Sequence, residues 1–408
     1  MNDIFKVVYI TRNGLLEPLG QSQVFSYLRG LSRDHAITLI TYEKPEDQAD
    51  SARMALAQEA CEAHGIRWPP QTFRPRPKLI APALSMMRMA WLVWREVRGG
   101  RARLIHARSY IPAAVALAVH RLTGVPFIFD MRALWPEELI TAGRLKRGSV
   151  LHSAIVSVER VGLRDAAAVV SLTHAAVAHL KREYPAELDG QRISVIPTCA
   201  DLDRFTPAPT KRIGSTVHGC IGTILSGWFR TDWLAAWLIA VAVDDSDALF
   251  DIVTRDDADR VRAALDPKGT LGNRLSIEPR LTQEMPDAVR NHDLSVMFYA
   301  GGEVSELGRS PTRMAEVLGC GLPVVANEGV GDVVDIVRQN KVGVIVDGPD
   351  PAQMRAALDE LKVLMQDPDL PGRCRATAQA VFSLEAGTEA YRGIYASILQ
   401  AEGDPCVE

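Results

Sequence analysis

Short apolar runs rich in β-branched residues alternate with helix-length segments along the whole chain, and this alternation leaves few folds open. Runs without a polar–apolar period of two belong to strands buried on both faces. Such strands form parallel sheets covered by helices. A first series is expected near residues 6–11, 37–42, 104–106, 127–130, 168–171 and 193–196, and a second near 218–221, 250–254, 275–278, 294–298, 323–326 and 343–346. Pro197, Pro207 and Pro209 punctuate the mostly polar stretch between the two series. A length of 408 residues exceeds one ordinary core and suits two domains of about 200 residues each. The expected division is therefore a domain over 1–197, a linker over 198–212, a second domain over 213–383, and a helical tail over 384–408 that packs back toward the first domain. Two doubly wound units in tandem would place a cleft between the carboxyl ends of two sheets, where such folds bind ligands.

Apolar residues make up 47% and charged residues 24%, a balance that excludes a disordered chain. Six scattered cysteines form no close pair suited to zinc or redox chemistry, which reads as a reduced, cytoplasmic protein. The opening MNDIFKVVYIT runs straight into a strand and lacks the zones of a signal peptide. The most membrane-like stretch, 79–97, is interrupted by Pro82, Arg88, Arg95 and Glu96. It carries Met86, Met87, Met89, Trp91 and Trp94 with many flanking arginines. Two readings stand: an interfacial helix resting on anionic lipid, or a buried helix, since apolar residues occur nearly all round it. The net charge of −4 hides an asymmetry. Residues 1–208 hold 27 Lys and Arg against 20 Asp and Glu, whereas the remainder holds 19 against 30. A basic first half suits an anionic partner such as a phospholipid surface or a phosphorylated acceptor. Nucleic acid fits less well, because no aromatic stacking platform accompanies the charge.

The segment 308–316, Gly-Arg-Ser-Pro-Thr-Arg-Met-Ala-Glu, marks a helix start. Ser310 suits an N-cap and Pro311 the first helical position. Free amides and the dipole make such a start an anion site. Arg313 falls in the first turn, where the dipole disfavours a cation by about 0.3–1 kcal/mol, and a bound phosphate would compensate. Glu316 shares the face of Arg313, about 7.5 Å along the axis from Pro311. A nucleoside diphosphate could lay its phosphates at the cap and its ribose hydroxyls on Glu316. The plain alternative is a surface Arg–Glu pair on an ordinary capped helix.

The segment SPTRMAEVLGCGLPVVAN, followed by EGVGDVVDIV, resembles the donor site of the retaining glycosyltransferase family 4, of the GT-B fold. The likeness continues in the family's order through GLLEPLGQSQ at 14–23, HARSY at 106–110, FDMR at 129–132, IPTCADLDRF at 196–205 and CIGT at 220–223. The resemblance implies an α/β chain of two facing Rossmann-like domains with an interdomain cleft. It implies transfer of a hexose, with retention, from a UDP- or GDP-sugar to a glycan or lipid-linked acceptor, as in surface polysaccharide or glycolipid assembly. Under it Gly222, Ser310, Pro311, Thr312, Arg313 and Glu316 contact the donor, and Arg230 neutralises the departing diphosphate. Two positions depart from the family. Where a first glutamate often stands eight residues before Glu316, this chain has Gly308, and where many members have a histidine it has Asp130.

Other candidates follow from position. Gly20 lies in a glycine loop after the first strand, where backbone can approach a donor, and Ser22 with the following amides could open a helix toward phosphate. The loop does not spell the dinucleotide fingerprint. Asp130 and Arg132 end an apolar strand, with Asp130 expected on sugar or acceptor hydroxyls. His106 and Arg108 end the preceding strand and are expected on the acceptor side. A structural ion pair is the alternative for Asp130. Arg255, just after a strand, could join Arg230 on the diphosphate. Asp201 and Asp203 give no reason to expect magnesium, so neither metal nor other cofactor is expected. The rival classes are a catalytically silent GT-B scaffold and a dinucleotide-dependent oxidoreductase. Expected partners are a nucleotide-sugar, a glycan or lipid-linked acceptor and the anionic cytoplasmic face of a membrane, with no nucleic acid.

Overall fold

The computed structural model describes residues 4–74, 80–99, 101–210 and 213–401. Fourteen strands are found among them: β1 (Phe5–Ile10), β2 (His35–Ile40), β3 (Tyr42–Glu43), β4 (Gln71–Thr72), β5 (Leu104–Arg108), β6 (Phe127–Asp130), β7 (Ala168–Ser171), β8 (Ile193–Val195), β9 (Val217–Ile221), β10 (Leu249–Val253), β11 (Leu275–Glu278), β12 (Leu294–Met297), β13 (Val324–Asn327) and β14 (Gly343–Val346). Their pairing separates into two compact units. Met1–Ile196 with Leu384–Glu408 form one, and Pro197–Ser383 the other.

In the first unit the sheet order is β2-β1-β5-β6-β7-β8. Val7 pairs with Ile37 on one side and Leu104 on the other, so the order reverses direction between β1 and β5. That reversal is a topological switch point, with strand ends diverging on either side. β3 and β4 form a separate two-stranded sheet. A lone parallel bridge from Thr38 to Arg67 stands beside β2, at the edge of the main sheet.

The second unit orders its strands β11-β10-β9-β12-β13-β14, all parallel, with its switch point between β9 and β12. Alternation along the strands divides its core. Val325, Val344 and Val346 face a cluster built on Trp237, Phe250 and Phe298. Val324 and Ala326 face a second cluster that includes Met314, Val317, Leu318 and Phe382. Helix 312–319 is thus pinned by its apolar face, which fixes where its first turn lies.

Two expectations about organisation need revision. Within the described residues 198–210, the expected linker 198–212 packs into the second unit, and positions 211–212 lie outside the described residues. Ala200, Leu202 and Phe205 are buried in the second unit's core. The Ala200 N–H donates to the Phe382 carbonyl at 2.9 Å, and Arg375 donates to the carbonyls of Leu202, Phe205 and Gly319. Prolines shape this path, but apolar side chains and a satisfied backbone hold it in the core. The described part of 79–97 forms helix Ile80–Val97, which is not buried all round and keeps an outward face. Met89, Leu92, Val93 and Val97 are buried, whereas Leu84, Met87 and Trp91 face outward at 55%, 60% and 53% exposure. Among the described residues no helix is long and apolar enough to cross a membrane.

Candidate active site

The carboxyl edge of the second sheet gathers most of the expected donor residues. β9 runs into a loop opened by Gly222 at φ 128°, where a side chain would be strained. The loop is anchored by Asp256, whose carboxylate accepts from the amides of Ile224 and Leu225 at 2.6 and 2.9 Å. It returns against β12, with the Arg230 N–H on the Phe298 carbonyl and the Ala300 N–H on the Trp228 carbonyl. The Arg230 side chain lies over the Trp233 ring and pairs with Asp232 at 3.3 Å. Arg255 follows β10 and is exposed.

Helix 312–319 closes this edge. Its N-cap is Pro311, extended at φ −70° and ψ 114°, and no side chain caps it. Ser310 is therefore not the N-cap that its sequence position suggests. Its hydroxyl accepts the N–H of Thr198 at 3.1 Å instead, tying the start of the unit to the donor helix. Thr312 opens the helix and Arg313 sits in its first turn. Arg313 donates to Glu316 at 2.6 Å, and Glu316 is largely buried at 9% exposure. Tyr299 stands beside them. Burial pushes its hydroxyl pKa up, opposed by the nearby charges of Arg313 and Arg309. Its backbone is clamped by Asn327, whose amide both accepts from and donates to Tyr299 at 2.8 Å.

Sequence reasoning missed Arg309. It spans the rings of Trp228 and Tyr299 and pairs with Glu306, which is 1% exposed. A cation flanked by two aromatic rings and backed by a buried carboxylate is held firmly. The only signal in sequence is its place beside Ser310, which composition cannot separate from an ordinary surface arginine.

The four expected residues at the carboxyl edge of the first sheet form a different kind of site. Asp130 is 1% exposed and sits among His106 at 3.3 Å, Arg132 at 3.6 Å and Arg108 at 3.8 Å. It also accepts from the hydroxyl of Tyr391, on helix Leu384–Ala401, at 3.1 Å. Burial pushes the Asp130 carboxyl up, but Arg132, the His106 hydrogen bond and Arg108 outweigh it and hold it below the usual carboxylate range. Burial pulls the His106 pKa down, which keeps the ring neutral. His106 reaches the hydroxyl of Tyr395 with its other nitrogen at 2.7 Å. Gln23, from a π-helical turn over Gln21–Phe25, accepts from Arg108 at 2.9 Å and Arg132 at 3.2 Å. Every partner belongs to the first unit. Asp130 thus sits as a buried counter-ion rather than a carboxylate open to solvent, with its Oδ1 left without a hydrogen-bond partner, and His106 and Arg108 are buried with it. The residue type suggested a ligand contact because nothing local in sequence reveals Tyr391, distant in the chain, above it.

The glycine loop is also corrected. The helix opens at Pro18 and continues through the π turn, so Ser22 and the amides after Gly20 lie inside it. The Ser22 hydroxyl donates to the Pro18 carbonyl. Gly20 has a packing reason, since a Cβ there would stand 2.0 Å from the Gly14 carbonyl oxygen. Among the described residues no group of three or more His, Cys, Asp or Glu is placed to hold a metal.

Comparison with known proteins identifies the family and the fold. A glycosyl transferase 4-like domain model matches residues 21–199, and a glycosyl transferases group 1 model matches 216–362. The chain belongs to the group 1 glycosyltransferases. A glycosyltransferase from Rickettsia africae has a TM-score of 0.71 at 13% identity, covering 97% of this chain and 99% of that one. Sucrose-phosphate synthase from Thermosynechococcus elongatus gives 0.69 at 16%, covering 97% and 100%. Anabaena Alr3699/HepE, solved with UDP and glucose, gives 0.67 at 17%, covering 96% and 100%. These solved structures share the GT-B fold. No curated protein sequence matches the chain.

In this group 1 glycosyltransferase the Asp130 cage is expected to carry stability. Asp130→Asn should destabilise the protein by about 3 kcal/mol at pH 7, because two buried arginines lose their counter-charge. Urea unfolding measures it. A depressed pKa contributes stability above the unfolded value of about 3.9 and loses it as pH falls further, so the gap to wild type should narrow in acid.

Proposed function

We propose that this glycosyltransferase moves a hexose from a UDP- or GDP-sugar to a glycan or lipid-linked acceptor, with retention at the anomeric carbon. The observation that carries the donor half is the Arg313–Glu316 pair at the start of a pinned helix, beside Arg309 and Tyr299. An anion at that start gains from the helix dipole and from two fixed cations. In this reading Ser310, Pro311, Thr312 and Arg313 face the diphosphate. Glu316 turns from Arg313 to accept from the ribose hydroxyls, and Gly222 lets the loop backbone approach the donor. Arg230 and Arg255 offset the charge gained by the leaving group. The bond from the anomeric carbon to the diphosphate breaks as the acceptor oxygen bonds on the same face, and the hydroxyl proton passes to the departing phosphate. The arginines supply the cationic charge, so this reading assigns no resident metal. The UDP and UDP-glucose held by HepE structures make uridine the first base to test.

Peripheral contact with an anionic membrane is part of the same reading. The outward face of helix Ile80–Val97 joins Leu84, Met87 and Trp91 with exposed Arg88 and Arg95, and exposed Arg98 follows just beyond its end. Arg95 stacks on Trp91, and Glu96, the helix's one acid, is shared between Arg67 and, at 3.6 Å, Arg95. Apolar wedges flanked by arginines match the chemistry of an anionic bilayer surface.

Glu316→Gln and Arg313→Ala should each weaken UDP or GDP binding about tenfold or more by calorimetry, while unfolding stays cooperative. Transfer should persist in EDTA, and product NMR should show the donor's anomeric configuration. A nucleotide affinity unmoved by both variants, or an inverted product, would remove the reading. For the membrane face, wild type should sediment with phosphatidylglycerol vesicles and not with phosphatidylcholine. Trp91→Ala with Arg88→Glu and Arg95→Glu should abolish it, and equal sedimentation of wild type and variant would count against that contact.

A further inference from the structure

The first unit holds a cavity of about 300 Å³ that none of the candidate residues above occupies. It lies past the carboxyl ends of β1, β5 and β6, on the ligand-binding edge of the sheet. Arg12, Tyr42, Lys44, Phe73, Ser109 and Trp135 line it. Three aromatic rings in one small cavity offer flat apolar walls, and two of them are fixed from behind. The Tyr42 hydroxyl donates to the Ser85 carbonyl at 2.7 Å. Trp135 packs on Tyr110, whose hydroxyl donates to the buried Glu159 at 2.6 Å. Preorganised rings of this kind suit the apolar face of a pyranose.

The charge in the cavity does not balance. Lys44 stands 3.7 Å from Glu17, which also lines the wall, so those two offset each other. Arg12 is half-buried and lies over the Phe73 ring at 5.5 Å, and no carboxylate among the described residues pairs with it. Burial lowers its pKa, a sign that desolvation goes unanswered by a counter-ion. Its planar fork of donors matches a carboxylate or phosphate. Ser109 adds a hydroxyl at the same place. It holds φ 77°, unusual for a residue with a side chain, and does not cap the helix that follows. Strain of that kind is kept where the surroundings impose it, often at ligand sites.

We propose that this cavity seats an acceptor sugar bearing one anionic group, with its ring against Tyr42 and Trp135 and its anion on Arg12. A uronate carboxylate and a sugar phosphate both present that chemistry. The inference rests on the glycosyltransferase reading above, since it assigns the acceptor side of that reaction.

The test is calorimetric titration of the full chain with glucuronic acid, glucose 1-phosphate and neutral glucose as probes. At least one anionic probe should bind more tightly than glucose, and whichever does names the anion. Arg12→Ala should weaken that probe about tenfold or more, and Arg12→Lys should restore only part of it. UDP titrated into the same samples should be unaffected, which shows that the variants are folded. A wild-type chain with no preference for either charged probe over glucose, an Arg12→Ala variant that binds as wild type does, or no binding by any of the three probes would overturn the proposal. A wild-type chain that binds the anionic sugar but neither UDP nor GDP would instead sink the donor reading and leave the cavity assignment standing.

Discussion

The carboxyl edge of the first unit's sheet converges on one buried carboxylate, Asp130. Asp130 sits at the carboxyl end of β6 and is reached by His106 and Arg108 from β5, by Arg132 just beyond its own strand and by Tyr391 from the far end of the chain. A buried charge of this kind is tolerable only when it is paired, and removal of one partner strands the others, although Asp130 Oδ1 and Arg132 Nε make no hydrogen bond here. The cage therefore couples three otherwise separate decisions: where β5 and β6 end, how the π-helical turn presents Gln23, and where the last helix docks. Neighbouring contacts agree with it. Arg392 pairs with Asp34 at 2.7 Å, and Gly30 leaves room for the methyl group of Thr388. Glycine is needed at 30 because a Cβ would stand 2.4 Å from that methyl carbon.

The second unit solves a different problem at the same edge of the same kind of sheet. Its charges are not sealed. Arg230 and Arg313 keep 37% of their side chains exposed, each beside a carboxylate. Its loops gain rigidity from backbone capture, with Asp256 holding one turn and Asn327 another. Firm backbone with partly open cations is the arrangement that electrostatic stabilisation of a leaving group requires, since charge must be fixed before reaction yet reachable by the ligand. A sealed cage like that of Asp130 could not serve it.

The fold was legible because hydrophobic periodicity reports burial on both faces, and that fact alone specifies parallel strands between helices. All twelve main strands lie where the apolar runs placed them, within a residue or two at the ends. The short pair β3 and β4 escaped, since two residues carry no period. The candidate donor residues on the second unit form a local string, because a helix start is encoded within a few positions. The first-unit site was not legible. Asp130, His106, Arg108 and Arg132 are polar residues at strand ends whether they face ligand or a docked helix, and only Tyr391 and Tyr395 decide between those outcomes. The linker failed for the same reason. Leu202 and Phe205 are too few to read as core until Arg375 is seen to satisfy the backbone around them.

The same distinction alters the meaning of the charge asymmetry. The surplus of cations in residues 1–208 was read as a surface field, yet Arg108 and Arg132 belong to the interior and face one carboxylate and a neutral histidine. Their excess positive charge is offset by dipoles, namely the Gln23 carbonyl oxygen shared by both and the Tyr391 hydroxyl near Arg132. The cations left to act outward are more local than a count over half the chain suggests. One group lies along helix Ile80–Val97, where Arg88 and Arg95, with Arg98 just beyond its end, accompany apolar side chains, while Arg12 stands half-buried at a cavity wall. A field spread over the domain would steer any anion. Charge divided into an apolar-flanked stripe and a single fork beside aromatic rings discriminates between a surface and a small molecule, because each pairs its charge with a different shape.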